Sequence, residues 1–124
     1  MKKIFGILTL LILSIGMVDA LCLPYAIAGQ VKYSDGRNAD GAVVTAIDMR
    51  TLDVMTDIVG TTGNAQYPGW YYVEGGNTKH CTRLGDIFKI TVKSAKGSVS
   101  TTIVQDNRGG QIVPTIYIPL KLRR

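Results

Sequence analysis

Histidine is almost missing from this chain. The 124 residues contain one, His80, and two cysteines, Cys22 and Cys81. That scarcity excludes the usual zinc sets, which need three or four nitrogen and sulfur ligands. His80 and Cys81 are adjacent. Neighbours on an extended backbone point apart, so they make neither a tetrahedral pair nor a nucleophile–base couple. A nucleophile elbow, a phosphate-binding glycine loop and a metal triad are also lacking. Beyond Asp19 the carboxylates are scattered: Asp35, Asp40, Asp48, Asp53, Asp57, Glu74, Asp86 and Asp106. Asp35 and Asp40 flank one turn, where Asp is favoured for bonding its own backbone. They lack the alternating acidic spacing and distal Glu of a calcium loop. These absences predict a protein that is not an enzyme and carries no metal or cofactor.

Long apolar runs and helical periodicity are lacking too, except at the start. Lys2 and Lys3 precede an apolar run from Ile4 to Ile15, broken by Gly6, Thr9 and Ser14. A positive flank and a short apolar run read as a secretory signal. The run is too short for a comfortable membrane span. Val18-Asp19-Ala20 places cleavage after Ala20, which divides the chain into a signal peptide, 1–20, and a domain, 21–124. Ala26-Ile27-Ala28 is the alternative site. Leu21 before Cys22 argues against lipid attachment, and no apolar segment precedes the terminal Lys121-Leu-Arg-Arg124. The expected location is therefore outside the cell or on its surface, with no transmembrane anchor in the mature chain.

Disulfides persist in that compartment. With cleavage after Ala20, a Cys22–Cys81 bridge is expected, and a loop of that size is worth about 4 kcal/mol less strain. With cleavage after Ala28, Cys81 would be left to pair between chains. Net charge is +5, with basic residues dispersed except at the C-terminus. A solvated face accounts for most of this. A mild positive balance also suits acidic envelope polymers. No nucleic-acid module is present.

The rest reads as strands. Gly29 to Ala46 reads as a hairpin-like unit: a strand, a polar turn at Ser34-Asp35-Gly36, a second breaker at Asp40-Gly41 and another strand. Ala42, Val44 and Ala46 share a face, and small residues there predict close approach to a facing sheet. Val54 to Gly60 alternates imperfectly, as an edge strand does. Pro68 delays the next strand to Gly69-Trp70-Tyr71-Tyr72-Val73-Glu74. Asp86 to Lys93 is the clearest strand, with Phe88, Ile90 and Val92 inward. A turn at Ala95-Lys96-Gly97-Ser98 returns the chain through Val104. The last strand, Gln111 to Ile118, holds Pro114, which marks an edge or a bulge. About seven strands at this spacing suit a sandwich.

Gly29-x-Val31, Asp35-Gly36 and Gly41-Ala42-x-Val44 resemble the opening of carboxypeptidase-regulatory-like domains. Gly69-Trp70-Tyr71 and Gly85-Asp86 resemble that family's later anchors. The resemblance implies a single seven-stranded immunoglobulin- or transthyretin-like β-sandwich, as in secreted archaeal and bacterial proteins. It favours cleavage at Ala20, because Leu23-Pro24-Tyr25 looks like a lead-in to the first strand. It also implies that Tyr71 and Val73 point into the core. Trp70 and Tyr72 would then lie outside near Tyr67, as a candidate ligand platform. The alternative is that Trp70 caps one end of the core. The functional expectation is a secreted, non-catalytic structural or adhesive sandwich. Its partners would be proteins or envelope polymers, with self-association through an edge strand, especially that of Pro114. A small carbohydrate-binding module and an accessory domain of a secreted enzyme or surface layer are the alternatives.

Overall fold

The computed structural model describes residues 25–74 and 80–120. The expected signal peptide, the Ala20 cleavage point and Cys22 lie outside the described residues, so the Cys22–Cys81 pairing falls there too. Among the described residues there are eight strands and no helix. They are β1 (Ala26–Tyr33), β2 (Val43–Asp48), β3 (Val54–Ile58), β4 (Trp70–Glu74), β5 (Ile87–Ser94), β6 (Gly97–Val104), β7 (Gly110–Ile112) and β8 (Ile116–Ile118). No helix among the described residues is long and apolar enough to cross a membrane.

The strands form two four-stranded sheets. In one, β1 is flanked by antiparallel β4 on one side and by parallel β7 and β8 on the other. The other runs β3-β2-β5-β6, antiparallel throughout. The fold is all-β and sandwich-like. Between the sheets lies one core, in which Tyr25, Ile27, Val31, Val44, Tyr71, Val73, Phe88, Ile90, Val92 and Ile118 are sealed from solvent. Each large apolar side chain so buried contributes about 1.5–3 kcal/mol. Tyr25 and Phe88 meet at a ring-centroid distance of 5.4 Å. Ala42, Val44 and Ala46 are all buried, so the small face of β2 does meet the facing sheet.

Two expectations need correction. The Gly29–Ala46 unit is not a hairpin, because β1 and β2 belong to different sheets. The polar turn does close locally: the Tyr33 and Gly36 amides donate to Arg37 and Tyr33 carbonyls, at 2.8 and 2.9 Å. Asp40-Gly41 then redirects the chain. Gly41 has φ +88°, a conformation that costs a side-chain-bearing residue but not glycine. The strand count also differs, because Gln111–Ile118 is split into β7 and β8. The partner offset from β1 is 84 along β7 (Ala26 with Gly110) and 85 along β8 (Val31 with Ile116). One extra residue is therefore accommodated around Pro114, a bulge that bends the strand where proline withholds a donor.

Candidate functional site

Strand alternation decides which aromatics reach solvent. Along β4 Tyr71 and Val73 are buried, while Trp70 and Tyr72 are half-buried on the outer side of the sheet. Trp70 therefore does not cap the core. Its cross-strand partner is Gln30, and that of Tyr72 is Ala28. Ala28 in turn pairs with Ile112 of β7, which is 73% exposed. The row Tyr72–Ala28–Ile112 thus has a methyl group between two large side chains, and the surface dips over β1.

The loop from Gly60 to Tyr67 deepens that dip. Ala28, Asn64, Ala65, Tyr67, Trp70, Tyr71 and Tyr72 line a half-open depression of about 640 Å³. Tyr67 stands at its rim, 64% exposed. The three expected aromatics, Tyr67, Trp70 and Tyr72, are therefore brought together. Cys81 is not among them. It lies on the exposed loop before β5, where its carbonyl accepts from Arg50 Nη2 at 2.7 Å.

Asp57 sets the loop in place. Its side chain is buried on β3, in the opposite sheet. Oδ1 accepts the Asn64 N–H at 2.9 Å and Oδ2 accepts the Tyr72 N–H at 2.8 Å. The Gly60 N–H donates to the Trp70 carbonyl at 2.9 Å, and Gly60 bridges Tyr67. Gly63 allows the tight approach: a Cβ there would lie 1.7 Å from the Ile58 carbonyl oxygen. Asp40 Oδ1 adds an anchor on the Gly69 N–H at 2.7 Å. Sequence spacing held no sign of Asn64, Ala65 or Asp57 here. The only cue was a polar loop directly before an aromatic strand.

A second polar cluster holds one end of the other sheet. Arg50 grips Asp86 through two hydrogen bonds, Nε–Oδ1 at 2.8 Å and Nη2–Oδ2 at 3.1 Å. The Arg83 N–H also donates to Asp86 Oδ2, at 3.0 Å. Burial opposes ionisation of Asp86, but these bonds and one with Asp48 outweigh it and hold its pKa down to about 2. Asp48 moves the other way: burial, then its hydrogen bond with Asp86, raises its pKa. The two carboxyls therefore titrate as a pair, with Asp86 shifted down and Asp48 shifted up. Beside them His80 Nδ1 lies 3.2 Å from Asp53 Oδ2 on the surface. Among the described residues no group of three or more His, Cys, Asp or Glu could hold a metal ion. Arg50, a built-in cation, already occupies the acidic cluster, which is a structural clamp for the Cys81 loop.

The fold and site define an all-β, two-sheet protein with an aromatic depression on one outer face. No protein-family model matches the chain, and no curated protein is significantly similar to it.

Proposed function

We propose that this protein is a secreted, non-catalytic β-sandwich of the immunoglobulin or transthyretin type that binds a polysaccharide of the cell envelope or its surroundings. One observation carries the reading: Tyr67, Trp70 and Tyr72 converge on a half-open depression with a methyl-lined floor. Pyranose rings present flat faces of C–H groups, which stack on aromatic surfaces while their hydroxyls reach polar atoms at the rim. Asn64, in the lining, supplies such atoms. The volume falls within the common range for ligand sites, about 300–1,000 Å³. The carboxypeptidase-regulatory-like motifs support the sandwich type and add nothing about the ligand.

Export rests on the Lys2-Lys3 and Ile4–Ile15 pattern, with processing after Ala20. The alternative at Ala28 would remove Ile27 from the core and the β1 residues that pair with Glu74, Val73 and Tyr72. Processing at Ala20 keeps Cys22 for a bridge to Cys81. Intact mass before and after reduction and alkylation tests both points, and a mature chain beginning after Ala28 would reject them.

Titrating oligosaccharides of the native envelope against Trp70 fluorescence tests the binding reading directly, since the chain has one tryptophan. Tyr67→Ala, at an exposed position, is expected to weaken binding by about tenfold, the equivalent of one stacked ring. Trp70→Ala is expected to abolish it with the strands intact by circular dichroism. Unchanged affinity in both variants would reject the site.

A further inference from the structure

An open edge strand is a ready template for another chain, and proteins usually blunt it with proline, lysine, bulges or brevity. Three of the four edges here are blunted. On β4 the outward backbone groups are taken: Trp70 O by the Gly60 amide and Tyr72 N by Asp57 Oδ2. On β3, which has five residues, the Gly63 turn lies against the Ile58 carbonyl. The β7–β8 edge consists of two three-residue pieces around Pro114. The remaining edge, β6, is Gly97-Ser-Val-Ser-Thr-Thr-Ile-Val104. It has eight residues, no charge, no proline and an unbroken register with β5.

The direction of its free groups follows from that register. A two-residue turn, Ala95-Lys96, joins Ser94 to Gly97, so Gly97, Val99, Thr101 and Ile103 turn their backbone groups toward β5. Ser98, Ser100, Thr102 and Val104 turn theirs outward. Among the described residues one hydrogen bond reaches its outward backbone, from Gln111 Nε2 to the Val104 carbonyl at 3.2 Å, and its Gly97 end lies against Ile118 and Pro119. The same side is open between the sheets. A groove of about 480 Å³ runs there, with Val99 and Ile103 of β6 on one wall and Val113 and Ile116 on the other. Val99 and Ile103 are only partly buried.

We infer that β6 is a homodimerisation edge, pairing antiparallel with β6 of a second copy about a two-fold axis at Thr101. The order of side chains selects a second copy as the occupant. Outward from Thr101, Ser100 matches Thr102 and Val99 matches Ile103. Two-fold pairing therefore sets each Val99 against the partner's Ile103, completing the half-buried apolar face. It sets Ser100 against the partner's Thr102, hydroxyl to hydroxyl, on the outer face. Strand directions agree as well. Ser100 and Thr102 both point their backbone groups outward, so they fall opposite each other as hydrogen-bonded pairs, and Thr101 meets Thr101 in a non-bonded pair. The result is one continuous eight-stranded sheet, with no charge buried at the seam. This replaces the Pro114 strand as the associating edge. It does not depend on the glycan reading, since the depression lies on the other sheet.

Site-specific crosslinking tests the register, and sedimentation equilibrium tests the assembly. In a non-bonded antiparallel pair the Cα atoms lie about 4.5 Å apart, within disulfide reach. Thr101→Cys is expected to form covalent dimers under mild oxidation. Ser98→Cys, about 20 Å from its own copy in this register, is expected not to. The unsubstituted protein is expected to sediment as a dimer. Thr102→Pro removes an outward N–H that β5 does not use, and is expected to halve the mass while the strand signature in circular dichroism is kept. A monomer at high protein concentration, or crosslinking at Ser98→Cys as fast as at Thr101→Cys, would overturn the inference.

Discussion

Asp57 is one carboxylate that joins the two sheets and shapes the candidate site, so its removal should be felt twice. Its two oxygens accept the Asn64 and Tyr72 N–H groups at 2.9 and 2.8 Å, and the side chain is buried. Hydrogen bonds to a charged acceptor are each worth about 1.5–3 kcal/mol. Asp57→Ala strands both donors, for an expected loss of about 3–5 kcal/mol. Asp57→Asn keeps one acceptor oxygen and turns an NH2 toward the other donor, for about 1.5–3 kcal/mol. Against a typical total of about 5–15 kcal/mol the first is severe and the second tolerable. Urea unfolding followed by Trp70 emission gives both numbers, because Trp70 adjoins the loop that Asp57 holds. Asp57→Asn should also shift native-state emission, since the 60–67 loop loses its tie to β4. If Asp57→Ala unfolds within about 0.5 kcal/mol of the unsubstituted protein, as ordinary surface changes do, the bridging role is wrong.

Two further perturbations address the core and the acidic pair. Tyr71 Oη is buried with no hydrogen-bond partner among the described residues, and burial raises its pKa. Tyr71→Phe is expected to leave stability unchanged or raise it by about 1 kcal/mol, measured by thermal melting. Gly29→Ala would set a Cβ 2.9 Å from that oxygen and 3.1 Å from the ring, at an expected cost of about 1–3 kcal/mol; combining it with Tyr71→Phe should recover part of the loss. For the acidic pair, Asp86 is held down to about 2, so its contribution is present above the unfolded carboxylate value and disappears as pH falls toward 2. Asp48 is raised, so its contribution is present at low pH and lost as pH rises through its folded value. Asp48→Asn is therefore expected to match or exceed the parent at neutral pH, while Asp86→Asn should destabilise it, because the Arg50 guanidinium and the Arg83 N–H lose their charged acceptor. Equal losses from the two would show that the carboxyls are not shifted in opposite directions.

The all-β class, most strand positions and the inward faces were legible from local patterning. Period-two patterning is local and survives any arrangement of the sheets, so Phe88, Ile90 and Val92 could be placed inside from their alternation alone. Pro114 announced its break because a missing donor is a property of the residue, and the outward pair Trp70 and Tyr72 followed from placing Tyr71 inward. Partnership between strands was another matter. The strand-turn-strand pattern of Gly29–Ala46 reads equally well as a hairpin or a crossover, and the choice is made by what β1 and β2 can pair with elsewhere. The tertiary structure alone brought Asp57 of one sheet to Tyr72 of the other, 15 residues apart in the chain. It alone set Ala28 between Tyr72 and Ile112, making a depression where the sequence offered separate aromatics. Alternation specifies a face, whereas a site needs neighbours, and neighbours across strands are fixed by register and sheet order.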